Sequence, residues 1–339
     1  MFFMSFRDFW WQAFRHCVKP TLLVIELWGL GDLVIASPFM QAASRKYDVT
    51  LLAKPYAIDL QERFWPGVRV VPFHAPWTAF RRKYRFLSWP WREIIRLRHL
   101  AREDFDLGLS ARWDPRDHFL LKALRVRSRY GFPRLRSKVF LTDSLERPEL
   151  DSHRYENWRT AGRALGLELP ERDHIELMGQ PKPDGNVLVH SGAGQSVRVW
   201  PLERFAAIVA RLRREGRTVI VACDPDQRDW WLKTGETQVA TPHDVSDLLR
   251  LVDTSRVFLG NDSGPSHLAA YCGIPTFTIF GPQITEWFAP LNPKGQCFEG
   301  KPCPYKPCFD YCRYPAPFCL RDITAEDIWE KFEPFVKRN

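Results

Sequence analysis

The sequence predicts an α/β protein made of two doubly wound domains that face one cleft. Short runs rich in Val, Ile and Leu alternate with amphipathic segments, as expected of parallel sheets covered by helices on both faces. Residues 179–185, which are rich in Pro and Gly, interrupt this alternation, and it restarts at Asn186. A glycine-containing loop follows the first strand of each half, where doubly wound folds bind their ligands.

The composition is that of a globular chain. It has 339 residues, of which 45% are hydrophobic and 26% charged, which leaves room for two domains. No run of eighteen apolar residues is present, and the N-terminus lacks a small-residue cleavage site after an apolar core. We therefore expect neither a transmembrane helix nor a secretion signal, and a cytoplasmic location.

The net charge of +9 is unevenly distributed along the chain. Residues 1–175 carry 30 Lys and Arg against 20 Asp and Glu, whereas residues 176–339 carry 19 against 20. This asymmetry indicates an anionic partner on the first half, which could be nucleic acid, anionic lipid or an acidic glycolipid. A generally basic, solvated surface is the alternative.

Residues 1–20 are predicted to form an amphipathic helix. One face is mostly aromatic and consists of Phe2, Phe3, Phe6, Phe9, Trp10, Ala13, Phe14 and Cys17. Its composition favours a helix that lies in a membrane interface, and its length is too short to span one. Alternatively, it docks on the protein's own core or on a second subunit.

A second unusual segment lies between His74 and Arg102, where aromatic residues interleave with cations. The candidate acceptor-binding or membrane-binding residues here are Arg81, Arg82, Lys83, Arg85, Trp89 and Trp91. Such a mixture can stack on single-stranded bases, bind an anionic membrane surface or hold acceptor phosphates. Because the N-terminal aromatic helix is near in sequence, we favour binding to a membrane and expect no binding of nucleic acid. The alternative is a solvated charged loop without a binding role.

In the first domain, a buried strand at Thr21–Leu27 leads into a glycine turn and then a helix. Gly29 and Gly31 allow a sharp turn and close approach of a ligand to the backbone. Asp32 follows at the carboxyl end of the strand; taken alone, it could be a simple helix N-cap. Further strands are predicted at Asp48–Ala53, Val68–Val71, Phe105–Ser110 and Ser128–Phe132, with helices at 117–124 and 154–165.

The second domain contains the most informative stretch of the sequence. Strands are predicted at 186–190, 218–222, 257–259 and 276–280, and helices at 202–215 and 245–252. Between the last two strands, the turn Asn261–Gly264 opens a helix that runs to Tyr271 or Cys272. Its free N–H groups and positive dipole end suit a diphosphate, and His267 lies one turn further in. An ordinary capped strand-to-helix turn is the alternative.

These motifs resemble those of bacterial lipopolysaccharide heptosyltransferases, glycosyltransferase family 9. The resemblance rests on Gly29-Leu-Gly-Asp32 with Ser37-Pro38, and on Asp262-Ser-Gly-Pro-Ser-His267 with Phe280-Gly-Pro282. It implies a GT-B fold over roughly residues 21–335 and an inverting, metal-independent glycosyl transfer without a cofactor. The sugar would plausibly be heptose from ADP-heptose, and the acceptor a lipopolysaccharide core at the inner face of the cytoplasmic membrane.

The resemblance also assigns roles to residues. Asp32 would be the general base and Arg198, where the family has Lys, the cation on the donor diphosphate. Gln227 stands where the family usually has a ribose-binding Glu. The residues predicted to bind the donor are Gly29, Gly31, Ser191, Gly192, Gln227, Asp262, Ser263, Gly264 and His267.

The predicted organisation is a membrane-surface helix at 1–20, an acceptor domain at 21–178, a nucleotide-sugar domain at 186–322 and a terminal helix at 323–339. Five cysteines lie near the end, at Cys297, Cys303, Cys308, Cys312 and Cys319. They could form a structural zinc or iron–sulfur site or remain reduced in a Pro-rich loop. Rival functions are a nucleotide-sugar epimerase or hydrolase of the same fold, and a non-catalytic membrane-docked or nucleic-acid-binding protein.

Overall fold

The computed structural model describes residues 19–78 and 91–339. In these residues two six-stranded parallel sheets are each flanked by helices, so the predicted α/β class is confirmed. The predicted N-terminal helix at 1–20 and the segment containing Arg81, Arg82, Lys83, Arg85 and Trp89 lie outside the described residues, apart from Lys19 and Pro20. Trp91 is the first residue of a helix.

The first sheet is built from the amino-terminal half of the chain. Its strands are β1 (Thr21–Glu26), β2 (Asp48–Ala53), β3 (Val68–Pro72), β4 (Leu107–Ser110), β5 (Ser128–Gly131) and β6 (Asp143–Ser144). Their spatial order is β3-β2-β1-β4-β5-β6, which is the doubly wound order. The chain therefore reverses its winding between β1 and β4, and a crevice opens there at the carboxyl ends of both strands.

In the described part of this half, helices lie between these strands or follow the last of them. They are α1 (Leu30–Ile35), α2 (Ser37–Lys46), α3 (Ile58–Phe64), α4 (Trp91–Leu100), α5 (Pro115–Ala123) and α6 (Tyr155–Ala164). Short 3-10 turns occur at Pro55–Ala57, Pro76–Thr78, Ser137–Phe140 and Arg172–His174. Asp114 caps α5 by accepting a hydrogen bond from the Arg116 N–H, which fixes the chain just beyond β4.

The second sheet repeats the same architecture. Its strands are β7 (Asn186–His190), β8 (Val219–Ala222), β9 (Val239–Ala240), β10 (Ser255–Asn261), β11 (Thr276–Phe280) and β12 (Gln296–Glu299). The order is β12-β11-β10-β7-β8-β9, so the switch point lies between β7 and β10. The second crevice thus opens where the predicted diphosphate turn, residues 261–264, leaves its strand.

The helices of this half are mostly packed on the second sheet. They are α7 (Leu202–Arg214), α8 (Arg228–Lys233), α9 (Val245–Asp253), α10 (Gly264–Tyr271), α11 (Thr285–Phe288), α12 (Phe318–Arg321) and α13 (Ala325–Arg338). Further 3-10 turns lie at Ser196–Arg198 and Pro225–Gln227. Ser263 is the N-cap residue of α10, but its hydroxyl donates to the Asn261 carbonyl instead of accepting from the helix.

Alternate residues of β1 face two different cores. Leu22 and Val24 belong to one buried cluster, and Leu23 and Ile25 to another, as the two-residue period of a strand requires. The first of these clusters continues into the second half of the chain through Leu268 and other residues of α9 and α10. An apolar contact, which includes the Phe64 and Tyr271 rings at 5.2 Å, therefore joins the two halves behind the cleft.

Within the residues described, none of the helices combines the length and apolar character needed to cross a bilayer.

Candidate active site in the cleft between the two sheets

The carboxyl edges of both sheets border one cleft of about 1340 Å³. From the first half it is lined by the turn after β1, including Gly29, Gly31 and Asp32, and by the loop after β4. From the second half it is lined by Arg198 and by the residues that start α10. The two topological switch points, which lie far apart in sequence, thus meet across a single space.

Asp32 lies on the floor of this cleft and is held from two sides. Its Oδ1 atom accepts a 2.6 Å hydrogen bond from Nη1 of Arg112, and its Oδ2 atom accepts a 3.0 Å bond from the Gly29 N–H. Burial by itself would raise the pKa of Asp32, but the Arg112 guanidinium and the Gly29 N–H outweigh it, so the pKa lies below its ordinary value. Asp32 is therefore a carboxylate at neutral pH, and its side chain is 20% exposed toward the cleft.

Asp32 also closes the first turn of α1. Gly29 is the N-cap residue, and the Asp32 carboxylate reaches back to the Gly29 N–H in a capping-box arrangement. The capping role and the role in the cleft are thus compatible, because the two carboxylate oxygens have different partners.

A second carboxyl group, that of Glu26, lies at the end of β1 and also lines the cleft. It is 3% exposed, and Oε1 accepts a 3.1 Å hydrogen bond from the Trp28 N–H. Burial raises the pKa of Glu26 to about 8; Arg112 opposes this shift, and the charge of Asp32 adds to it. Glu26 is therefore largely protonated at neutral pH, whereas its neighbour Asp32 is not.

The start of α10 faces Asp32 from the second half. Asp262, Ser263, Gly264 and His267, which the sequence predicts to bind the donor, all line the cleft. His267 is 5% exposed, its Nδ1 atom has no hydrogen-bond partner, and burial lowers its pKa to about 4. It is thus a neutral imidazole beside the first turn of a helix, where unpaired N–H groups and the dipole favour an anion.

Two glycines allow α1 and α10 to approach closely. A Cβ atom on Gly31 would lie 2.6 Å from Cδ2 of His267, and one on Gly264 would lie 2.7 Å from Cβ of Leu30. Neither distance is tolerated by real side chains, so these positions need glycine for the fit between the two halves.

Arg198 reaches the cleft from the loop before α7. Its fork binds Asp310, with Nε to Oδ1 at 2.7 Å and Nη2 to Oδ2 at 2.8 Å, and Nη1 lies 3.3 Å from Oδ2 of Asp262. The loop is anchored behind it, because the Trp200 N–H donates to Oδ1 of Asn261 at 3.0 Å. Burial raises the pKa of Asp262 to about 6, against the effect of Arg198.

Three of the predicted donor-binding residues are placed differently from the rest. Ser191 is fully buried, and its hydroxyl donates to Oε1 of Gln227 at 2.8 Å and accepts from Nε1 of Trp231 at 2.9 Å. A Cβ atom on Gly192 would lie 2.4 Å from Cγ of Asp224. Ser191, Gly192 and Gln227 do not line the cleft, so a contact with the donor remains a prediction for them.

The structure adds residues that the sequence analysis did not single out. Arg112 lies beyond β4 and Arg154 before α6, while Asp310 belongs to the loop between β12 and α12. Nothing in their local sequence marks them as special, since their positions depend on how the strands wind and how the halves meet. Glu26 is the exception, because a carboxyl group at the end of an otherwise apolar strand is a signal in itself.

The cysteine-rich tail does not present a preformed metal site. Cys303, Cys308, Cys312 and Cys319 border one small void and are unpaired thiols. Across residues 19–78 and 91–339, no group of three or more His, Cys, Asp or Glu side chains is arranged to hold a metal ion. Cys297 lies apart from them in β12.

The sequence and the fold are similar to those of known proteins. Residues 98–315 match glycosyltransferase family 9 (heptosyltransferase), a stretch that includes Asp262 to His267 but not Asp32. A lipopolysaccharide heptosyltransferase 3 of Escherichia coli is 26% identical over 148 residues, which are 41% of this chain and 40% of that relative. The chain thus matches well under two thirds of the length of this curated relative.

Two solved structures share the fold over nearly the whole chain. The family 9 glycosyl transferase of Veillonella parvula DSM 2008 is 17% identical with a TM-score of 0.74, and covers 96% of this chain and 99% of its own. The Escherichia coli heptosyltransferase WaaC with ADP is 16% identical with a TM-score of 0.72, and covers 93% and 99%. The GT-B fold predicted from the sequence is thereby confirmed. Because the family match also covers more than half of the residues, the chain belongs to glycosyltransferase family 9.

Proposed function

We propose that this protein is an inverting glycosyltransferase that moves a sugar from a nucleotide diphosphate to a hydroxyl group of an anionic glycolipid. The observation that carries this proposal is the arrangement across the cleft: an ionised carboxylate, Asp32, faces the start of α10 and Arg198. One side of the cleft therefore offers a proton acceptor, and the other offers cation and N–H donors for a leaving diphosphate.

In the reaction, Asp32 accepts the proton of the acceptor hydroxyl as its oxygen attacks the anomeric carbon of the donor sugar. The bond from that carbon to the diphosphate breaks at the same time, on the opposite face, so the configuration inverts. Arg112 holds the carboxylate through Oδ1 at 2.6 Å and keeps it ionised. Because its pKa is low, Asp32 is a weak base, but it is ionised at neutral pH. This suits an acceptor hydroxyl that becomes acidic only in the transition state.

Arg198 and the first turn of α10 would stabilise the charge that develops on the diphosphate. Asp310 now occupies two donor atoms of the Arg198 fork, at 2.7 and 2.8 Å. A diphosphate oxygen would therefore exchange with this carboxylate, since both bind the fork in the same bidentate way. Arg can replace Lys in this role because it keeps the charge and adds the fork.

The sugar, the acceptor and the location are argued from the relatives and the charge. A curated relative is named lipopolysaccharide heptosyltransferase 3, and one solved relative is described with ADP. We therefore propose heptose from ADP-heptose as donor sugar and a lipopolysaccharide core as acceptor, without a metal or cofactor. The positive first half and the aromatic residues within 1–20 support a peripheral position on the cytoplasmic face of the inner membrane.

The test is a panel of nucleotide sugars, first as stabilising ligands and then as donors. A ligand at a hundred times its dissociation constant adds about 2.7 kcal/mol to the free energy of unfolding, which a melting curve detects. With the best donor and a lipopolysaccharide core acceptor, Asp32→Asn should lower turnover by about 10²–10⁴-fold with little change in donor affinity. The variant keeps the size of the side chain and an oxygen for the Gly29 N–H.

Asp48→Asn is the matched control, because Asp48 is an exposed residue at the opposite end of the neighbouring strand β2. It should retain full turnover. Near-normal turnover with a lowered melting temperature in Asp32→Asn would reduce Asp32 to a helix cap. Release of free sugar without an acceptor would favour a hydrolase, and inversion of the donor at C2 an epimerase.

A further inference from the structure

Arg154 holds an unusual position between the two halves of the molecule. Its guanidinium carbon lies 4.5 Å from the ring centre of Trp113, in the loop after β4, and 4.3 Å from that of Trp287, in α11. Its backbone N–H also donates to the Trp287 carbonyl at 3.0 Å. Aromatic rings from both halves of the chain thus contact the same cation, which lines the cleft.

Arg154 differs from its neighbours in that the described part of the chain gives it no counter-ion. Arg112 pairs with Asp32 at 2.6 Å, Arg116 with Asp114 at 2.6 Å and Arg198 with Asp310 at 2.7 Å. No carboxylate within the described parts of the chain forms an ion pair with Arg154. Arg134 also lines the cleft without an ion pair, but it is exposed to solvent.

The two rings that flank Arg154 each carry a hydrogen-bond donor. The indole Nε1 atoms of Trp113 and Trp287 are buried and find no hydrogen-bond partner among the residues that the structure describes. Burial, and after it the charge of Arg112, lowers the pKa of Arg154 to about 10, with Asp32 acting in the opposite direction. A partly buried cation and two unsatisfied N–H groups therefore lie together, which is costly unless an acceptor is supplied.

We infer that Arg154 binds an oxyanion of the acceptor, a carboxylate or a phosphate, next to the hydroxyl that Asp32 deprotonates. The rings of Trp113 and Trp287 lie against the guanidinium at 4.5 and 4.3 Å, and its N–H groups can still bind an oxyanion in a bidentate way. Trp113, against which Arg154 lies, directly follows Arg112, the partner of Asp32, so we assign Arg154 to the acceptor side of the cleft. This inference rests on the proposed function.

The experiment measures binding of small sugars to the full chain by saturation-transfer NMR. The probes are glucuronate, glucose 6-phosphate and glucose, which differ in the anionic group that they carry. The two anionic sugars should bind the wild type and glucose should not, and their relative affinities distinguish a carboxylate from a phosphate. Arg154→Gln should weaken binding of the preferred anion by roughly tenfold or more, since one charged hydrogen-bonding group is lost.

Two variants keep the test decisive. Arg154→Lys retains the charge without the fork, and should recover only part of the affinity, even if Arg154→Gln disturbs the contact between the halves. Arg147→Gln is the matched control: Arg147 stacks on the same Trp113 ring at 4.6 Å, but it is exposed and does not line the cleft. This variant should bind all three probes as the wild type does.

ADP binding, measured on the same samples, separates this inference from the proposed function. Unchanged ADP affinity in Arg154→Gln, with loss of anionic sugar binding, supports an acceptor site. Loss of ADP affinity instead would move Arg154 to the donor site and overturn the inference, as would equal binding of glucose and the anionic sugars by the wild type. If no nucleotide sugar supports transfer but Arg154 still selects anionic sugars, the proposed function fails and the anion site stands.

Discussion

The surroundings shift the pKa values of two nearby carboxyl groups in opposite directions: Glu26 ends β1, and Asp32 lies in the helix α1 that follows. Asp32 has a guanidinium and a backbone N–H as partners, and its pKa lies below the ordinary value. Glu26 accepts a hydrogen bond from the Trp28 N–H and is almost fully buried, and this burial raises its pKa to about 8. Neighbouring groups whose pKa values are separated in this way can remain one charged and one neutral at the same pH, so only Asp32 of this pair is a carboxylate at neutral pH.

The pKa of Glu26 predicts how stability depends on pH. The folded protein holds a proton on Glu26 up to about pH 8, whereas the unfolded chain releases it near the ordinary value of 4.5. Between these values the folded state binds more protons, so the free energy of unfolding should fall as the pH rises toward 8 and level off above it. Glu26→Gln removes this titrating group. Denaturant titrations of the variant at several pH values should therefore show a free energy of unfolding that depends less on pH.

At pH 8.5 the Glu26→Gln variant should be more stable than the wild type by up to several kcal/mol, since each unit between the two pKa values corresponds to about 1.4 kcal/mol. Glu62→Gln, an exposed site in α3, should follow the wild-type profile. If Glu26→Gln is instead less stable at pH 8.5 and retains the wild-type slope, Glu26 is ionised in the folded state and Arg112 stabilises its charge.

At the scale of elements, the contact between α1 and α10 brings the two sides of the site together. Asp32 is in the first helix and His267 in the second, and Gly31 and Gly264 lie where the helices are closest. The distance between the proposed base and the proposed diphosphate site is therefore set by packing that tolerates no extra carbon atom.

Gly31→Ala tests this packing. In a helix, Ala normally stabilises relative to Gly by about 1 kcal/mol, so a loss of stability has to come from the contact with His267. We expect a net loss of about 1–3 kcal/mol in denaturant unfolding, which is typical of an overpacked site. Gly67→Ala is the control, because its new Cβ atom would meet Ser44 at an ordinary 3.5 Å.

A double variant shows whether the ring causes the loss. His267→Ala removes the atoms that the new methyl group would meet, so the two changes should compensate in part when combined. Strict additivity of the two losses, or a stabilised Gly31→Ala variant, would show that the helices have room to separate.

The sequence predicted the elements better than it predicted the site. The strands β2, β7 and β11 have the predicted bounds, since continuous apolar runs between Gly, Pro or polar residues leave little choice. The predicted strand at 257–259 extends to Ser255–Asn261, because pairing with β7 and β11 orders its polar ends. The short edge strands β6, β9 and β12 were not predicted, and neither were the helices α3, α4 and α8.

The site was predictable where local geometry determines it. Asp32 and the start of α10 follow strands directly, so their place at a carboxyl edge can be deduced from the sequence. Arg154 acquires its role only from rings in two distant loops, and Ser191 faces Gln227 and Trp231 because of how β8 and α8 pack. Such positions depend on tertiary contacts, which no local pattern records.

At the scale of the whole molecule, the apolar contact that joins the two halves and the excess of positive charge lie in different places. The buried apolar cluster that spans both halves lies behind the cleft. The positive charge belongs to the first half of the sequence, which carries 30 Lys and Arg against 20 Asp and Glu over residues 1–175. The proposed acceptor side is therefore the side expected to meet an anionic membrane.

Membrane association is the last prediction, and its first test is a deletion that ends before the described residues. Lys19 donates to the Ser44 carbonyl and the Pro20 carbonyl accepts from the Asp48 N–H, so a deletion should end at residue 18. The shortened protein should no longer sediment with phosphatidylglycerol vesicles, because it lacks the aromatic residues that would enter the interface. ADP affinity should not change, since the donor side of the cleft lies in the second half of the chain.

Replacing Arg81, Arg82, Lys83 and Arg85 together by Gln tests the electrostatic part of the same binding. Each cation near an anionic leaflet contributes about 1 kcal/mol, so binding should weaken strongly and depend less on salt. The matched control replaces four exposed cations elsewhere in the first half: Lys122, Arg125, Arg136 and Lys138. If this control weakens binding equally, the general basicity of the first half explains the attraction to the vesicles. In the deletion experiment, unchanged sedimentation without residues 1–18 would mean that the aromatic segment docks on the protein itself or on a second copy.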